Sequence, residues 1–292
     1  MQQSVYHSQV YDSQSIQAWE RRWFAQRNSS LGLMQQAAWT IAQNLNKQFL
    51  AKKINHIAVW CGQGNNAGDG YYIAAFLKQQ GFKVTVFATE LGHSEDLQQA
   101  FHYAQSQKVD TQTIDYLLSE HEINQDLPIF DCHIDALFGI GLNRMLDQKW
   151  QNIIHLYNLQ IGFKVSVDIP SGIHADTGQA LPCSTEADQT FTLLGYKAGL
   201  FTGQGKEYVG KLHLVSLIPI DAELKPLAYL SPERIALPKR KAFGHKGSYG
   251  HVLVVGGHAD MGGQSLCLLK LLFMLVLAKL QWFAILNIIK QF

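Results

Sequence analysis

Two periods of apolar and polar residues run along the chain, and the switches between them predict its elements. Residues 16–24 (IQAWERRWF) carry helical spacing. A second helix, capped by Ser29 or Ser30 and running to about Leu50, sets Leu33, Met34, Ala37, Ala38, Ile41 and Leu45 on one face. Residues 57–61 are continuously apolar and read as a buried strand. A glycine-rich stretch follows, then a helix over 71–80 with Ile73, Ala74, Phe76 and Leu77 facing inward. Residues 83–88 alternate as a strand and 95–105 form a helix. Residues 128–141 hold a central strand that exits at Asp135. A helix over 148–159 precedes a strand at 164–169, which Pro170-Ser171-Gly172 ends. Residues 188–194 and 208–215 are two more strand-like runs, with Lys197 and Gly199 between them. This alternation from Ile57 to Val215 predicts a three-layer α/β fold with right-handed crossovers covering both faces of the sheet.

Composition narrows the partners. A net charge of +1 and the lack of a Lys/Arg run argue against nucleic acid. Cys61, Cys132, Cys183 and Cys267 are far apart and form no Cys-x-x-Cys pair, which favours a reducing, cytoplasmic setting over disulfides or a zinc site. The first ten residues are polar, so no secretory signal is read there. The aromatic and Met residues of the first two helices are core or oligomer contacts.

The chemistry gathers at strand ends. Residues 62–70 (GQGNNAGDG) sit between a strand and a helix, the geometry that cradles phosphate on backbone N–H groups. The spacing Gly-x-Gly-x-x-x-Gly departs from the dinucleotide fingerprint. Asn65, Asn66 and Asp69 are also unusual there, because a carboxylate repels phosphate unless a cation or a separate task compensates. The plainer reading is a tight turn with Asp69 capping the helix. Asp135 ends a buried strand before glycines, where α/β sheets place ligands; it reads equally as a cap for the helix starting near Asp147. Asp168, followed by Ser171, ends another strand. Parallel strands would bring Asn66 with Asp69, Asp135, and Asp168 with Ser171 to one edge. Glu90 occupies the ribose-acid position but reads as a solvated strand end, and His133 as a satisfied core histidine. An ordinary NAD-dependent dehydrogenase is disfavoured by the acid in the glycine loop and the lack of a hydride-transfer constellation.

Pro219, Pro226, Pro232 and Pro238 mark a linker. Residues 243–257 (FGHKGSYGHVLVVGG) then resemble the opening of a second nucleotide-binding domain. Residues 266–289 are almost continuously apolar and long enough to span a bilayer, but Lys270, Lys279 and Gln281 interrupt them. That change of character fits a shifted reading frame; an apolar tail of this kind would promote aggregation or non-specific membrane association.

Three ordered motifs, GQGNNAGDG at 62–70, DALFGIG at 135–141 and SVDIPSG at 166–172, resemble the NAD(P)H-hydrate epimerase family. The likeness covers roughly residues 10–220. Residues 243–257 resemble the start of an ADP/ATP-dependent NAD(P)H-hydrate dehydratase, so the pair is similar to bifunctional nicotinamide nucleotide repair enzymes. The resemblance implies a Rossmann-like epimerase domain over 1–222 and an incomplete, ribokinase-like dehydratase domain over 223–292, without dehydratase activity. It implies epimerisation of the R and S forms of NADH and NADPH hydrates. Asn65, Asn66, Ala67, Gly68 and Asp69, the loop Gly139, Ile140, Gly141, Leu142, Asn143, Arg144 and Met145, and Asp168 would contact the substrate. Asn66, Asp135 and Ser171 would bind one potassium ion, with backbone carbonyls completing its shell. ADP or ATP would serve only an intact dehydratase domain. Asp168 is the expected acid–base group, through water elimination and return or through ring opening. Ala67 stands where the family usually has glycine, which requires that this residue not adopt a positive φ. A non-catalytic binding or scaffold module of the same fold is the alternative; the retained Asn66, Asp69, Asp135, Asp168 and Ser171 weigh against it.

Overall fold

The computed structural model describes residues 9–115, 129–230, 252–254 and 280–282. The chain divides into two compact units, residues 1–231 and 232–292. In the first, seven parallel strands form one sheet: β2 (His56–Cys61), β3 (Lys83–Ala88), β4 (Asp110–Thr113), β5 (Cys132–Ala136), β6 (Phe163–Val167), β7 (Gln189–Leu193) and β9 (Lys211–Val215). Their order is β4-β3-β2-β5-β6-β7-β9. The chain thus builds outward from β2 on one side, then returns to β5 and builds outward on the other. That reversal opens a crevice above the carboxyl ends of β2 and β5, the place where open α/β sheets hold ligands.

Helices cover both faces, as the alternation predicts. α2 (Ser30–Lys52), α3 (Asn65–Gln79) and α4 (Glu95–Ser106) pack on one side and α5 (Gln148–Leu159) on the other. The period of two in β2 decides what each face receives. Ile57, Val59 and Cys61 join the core with Ile41, Leu45, Phe49, Ile73 and Leu77. Ala58 and Trp60 face Ile153, Ile154 and Tyr157 of α5. Both sets are buried, which is why the run is continuously apolar. Each fully buried side chain of this size contributes about 1.5–3 kcal/mol.

His133 sits in this core as read. Its Nδ1 accepts from Trp60 Nε1 at 3.3 Å, and its Nε2 lies 3.2 Å from the Ile161 carbonyl. Burial holds its basicity down, to about 4. Glu90 is exposed.

Two element boundaries differ from the pattern. α3 begins at Asn65, not near residue 71, so most of the glycine-rich motif is helix. Gly64 is the N-cap and offers no side-chain cap. Asp69 therefore does not cap the helix; it lies in the second turn, buried. The final strand begins at Lys211, because Gly205–Tyr208 forms a short helix, α6, and Gly210 turns the chain at φ +56. The loop after β2 crosses the loop after β5 closely: a Cβ on Gly62 would meet the Leu137 carbonyl oxygen at 2.0 Å.

A small second sheet sets what lies above the crevice. β1 (Gln9–Tyr11) pairs with β8 (Tyr196–Lys197) in parallel and with β10 (Ala228–Tyr229) antiparallel. Tyr11 is opposite Lys197. α1 (Ser13–Ala25) starts two residues later, capped by Asp12. Ser13 is held by Asp176, Trp19 Nε1 donates to the Pro219 carbonyl at 3.2 Å, and Arg22 pairs with Asp221.

In the second unit, β11 (Val252–Val254) and β12 (Leu280–Trp282) pair in parallel. The first lies in the stretch read as a nucleotide-binding opening, the second in the apolar tail. The rest of both stretches, and with it the dehydratase-like and shifted-frame readings, lies outside the described residues. Among the described residues, no helix is long and apolar enough to cross a membrane.

Candidate active site

A cavity of about 840 Å³ opens at the topological switch point. Its floor is the start of α3 with the loop before it, from Gln63 to Asn66, plus Asp69. One wall is the loop after β5, from Leu137 to Arg144; another is Asp168 after β6 with Leu193, Leu194 and Lys197. α1 closes it with Ile16, Gln17, Glu20 and Arg21. Asn65 is anchored through its side-chain oxygen, which accepts from Ser94 Oγ at 2.6 Å. Gly139 leaves little space: a Cβ there would lie 3.3 Å from both Asn66 Cβ and Asp168 Oδ2.

Asp168 stands at the centre. It is only 6% exposed and adopts a left-handed φ of +69. Its backbone N–H still donates to the Phe191 carbonyl at 2.7 Å, so the strained residue is tied to β7. Its Oδ1 accepts from Lys197 Nζ and from Leu193 N at 3.2 Å; its Oδ2 accepts from Ile140 N at 3.1 Å. Lys197 is 1% exposed and donates also to Thr192 Oγ1 at 3.1 Å and the Leu193 carbonyl at 2.6 Å. All three ammonium protons therefore have acceptors, and the pair is a satisfied buried ion pair.

Two further carboxyls face this pair. Asp69 is 7% exposed, and its side chain makes no hydrogen bond among the described residues. Burial pushes its carboxyl well above the usual range; Asp168 and Glu20 add to the shift and Lys197 opposes it. Burial also raises Glu20, with Asp168 adding to the effect. The cavity thus holds three acids and one buried cation in mutual reach, with Arg21 of α1 and Arg144 of the loop after β5 also lining it.

Asp135 lies beneath the cavity wall, fully buried. Its Oδ1 accepts from Ser171 Oγ at 2.6 Å and Leu137 N at 3.2 Å. Its Oδ2 accepts from Thr185 Oγ1 at 2.6 Å, Ser171 N at 2.9 Å and Ser166 Oγ at 3.1 Å. It does not cap α5; Asp147 does. Burial raises its carboxyl, against the pull of Ser171 and Thr185. The Phe138 carbonyl accepts from Asn66 Nδ2 at 2.9 Å and from Ser171 Oγ at 3.2 Å, which joins Asn66, Ser171 and Asp135 in one oxygen-rich cluster. No Lys, Arg or His pairs with Asp135 among the described residues. A buried carboxylate surrounded by neutral oxygens, with no protein cation, is a donor set that fits a hard cation.

Most of the residues expected at the site converge. Asn65, Asn66, Asp69, Gly139, Ile140, Gly141, Leu142, Asn143, Arg144 and Asp168 line the cavity, and Asp135 and Ser171 lie directly behind Phe138. Ala67 and Gly68 are on the buried side of α3, and Met145 is 61% exposed; none of these three lines the cavity. Ala67 is helical, so its methyl meets no positive-φ constraint. Lys197 and Glu20 are the site residues that sequence reasoning missed. A lysine inside the apolar run Leu193–Leu200 and an acid one helical turn after Ile16 were the available signals.

The family described as YjeF-related protein N-terminus matches residues 30–199, more than half of the chain. A bifunctional NAD(P)H-hydrate repair enzyme Nnr of Vibrio cholerae is 36% identical over 210 residues, 67% of this chain and 40% of that protein. The enzyme of the same name from Thermofilum pendens is 34% identical over 215 residues, 72% of this chain and 41% of its own length. The chain therefore matches about two fifths of these curated relatives. The crystal structure of yeast ynu0, YNL200c, superposes with a TM-score of 0.57 at 26% identity, covering 65% of this chain and 82% of that one.

Proposed function

The chain belongs to the YjeF-related protein N-terminus family, and on that premise we propose that its first domain interconverts the R and S hydrates of NADH and NADPH. The observation that carries the reading is the buried Asp168–Lys197 pair set in the switch-point cavity. The names of the relatives supply the substrate class.

C6 of the hydrated nicotinamide ring bears a hydroxyl and is bonded to the ring nitrogen. Once the hydroxyl gains a proton, the nitrogen lone pair expels it as water and leaves an iminium; water returning to the opposite face gives up a proton and completes the inversion. A cation forms on the way, and a buried carboxylate stabilises it far better than water does. Asp168 suits this because Lys197, Leu193 N and Ile140 N fix the orientation of its carboxyl group. Its Oδ2 keeps acceptor capacity for a proton of the returning water. The backbone at the start of α3 and the loop 139–144 would receive the pyrophosphate and riboses.

Asn66, Asp135, Ser171 and the Phe138 carbonyl would hold one potassium ion. When bound, that charge would offset the Asp135 carboxylate and the repulsion the acids present to phosphate. The free Cys61, Cys132 and Cys183 suit a reducing, cytoplasmic setting.

The test starts from pure R hydrate of NADPH and follows the S form by chromatography, with potassium or with choline as the only monovalent cation. Conversion above the spontaneous rate, enhanced by potassium, is the expected result. A folded protein that leaves the spontaneous rate unchanged overturns the reading.

A further inference from the structure

Asp168 is already engaged by a buried ammonium and two N–H donors. That suits an iminium neighbour and an incoming water, but it makes a poor source for the proton that the departing hydroxyl needs. The cavity contains a second group with the opposite surroundings. Asp69 is more than nine-tenths buried, faces the same cavity, has no side-chain hydrogen bond among the described residues, and sits within electrostatic reach of Asp168 and Glu20. Among the protein groups that act on it, only Lys197 favours its charge, and Lys197 already donates to Asp168. Arg21 and Arg144 line the cavity but do not pair with Asp69.

We infer that Asp69 is the proton donor of the reaction, with Glu20 as its neighbour across the cavity and Asp168 as the base that takes a proton from the returning water. This assignment rests on the epimerase reading above. Asp69 gives its carboxyl proton to the C6 hydroxyl. The C6–O bond breaks with its electron pair leaving on water, and the ring nitrogen lone pair forms the C=N bond. Water then attacks C6 from the other face and the C=N electrons return to nitrogen. One water proton passes to Asp168 and from there, through water, back to Asp69, so no net proton is consumed. One carboxyl held by donors and one left without them divide base from acid work in one site. Glu20 reaches the site from α1, which precedes the stretch matched by the family, so no motif pointed to it.

The experiment measures R-to-S exchange against pH for the wild type, Asp69→Asn and Glu20→Gln, with R-hydrate affinity measured separately by equilibrium dialysis. For Asp69→Asn the rate falls by about 10²-fold or more with affinity kept within a few-fold, and the loss of activity at high pH disappears from the residual rate. For Glu20→Gln the high-pH limb moves to lower pH, because a like charge beside Asp69 has been removed. Wild-type rates in Asp69→Asn overturn the assignment while leaving the epimerase reading intact. If Asp69→Asn does not fold, an unmoved limb in Glu20→Gln overturns it. A wild-type protein that does not accelerate exchange takes down both readings.

Discussion

Asp135 and Asp168 leave neighbouring strands, β5 and β6, at the same edge of one sheet, yet they are held in opposite ways. Asp135 accepts five hydrogen bonds, all from neutral donors, and pairs with no cation among the described residues. Asp168 accepts three, one of them from a buried ammonium, and one of its oxygens keeps an open side toward the cavity. The first arrangement ties three loops to one carboxylate and sets it in the oxygen-rich cluster with Asn66 and the Phe138 carbonyl. The second fixes the carboxylate and leaves it something to do. Two strand-end acids that look alike in sequence are therefore held for different tasks, the proposed cation site and the proposed reaction centre, and the difference lies in who donates to them.

The largest effect that should separate them is charge removal. Lys197→Met leaves Asp168 buried and unpaired, and unfolding in denaturant should show a loss of about 3–5 kcal/mol. Adding Asp168→Asn to that variant should recover much of the loss; strict additivity would contradict the pairing. Asp135→Asn replaces one acceptor oxygen with an NH₂ that faces hydroxyl and amide donors, and should cost about 2–3 kcal/mol. It should also abolish any response to potassium, whereas the same substitution at Asp168 should leave that response in place. The smallest effect is a gain. Burial raises the Asp69 carboxyl, so the folded state holds a proton that the unfolded chain has released. Stability from this group is present at acid pH and declines as pH rises above the ordinary carboxyl range until the folded-state group ionises. Asp69→Asn should therefore stabilise the protein by about 1 kcal/mol at neutral pH. The gain should vanish toward pH 4, as thermal unfolding across pH would show.

Much of the fold was legible because it is written locally. The strand at 83–88 and the helix at 148–159 match β3 and α5 residue for residue, since each has a clean period and clear end signals. The start of α3 was not legible. Two glycines and two asparagines read as a loop, and only packing against Met34 and the strands makes them helical. The edge strand β4 and the short β1, β8 and β10 carry no pattern long enough to detect. The site divides the same way. Asn66, Asp135, Asp168 and Ser171 end apolar runs and announce themselves. Lys197 meets Asp168 because β7 pairs with β6, and Glu20 reaches the same cavity because β1 pairs with β8 and carries α1 over the crevice, a closure between segments nearly two hundred residues apart. No local pattern encodes that.

The measurement that tests the account most directly is R-to-S exchange by Asp168→Asn beside the wild type, at saturating R hydrate and in potassium. The account predicts a rate lower by about 10²–10⁴-fold with substrate affinity retained. Asn keeps the size of the side chain but loses the charge that Lys197 orients. An Asp168→Asn protein that binds the R hydrate and exchanges it at the wild-type rate would contradict the placement of the reaction at this carboxylate.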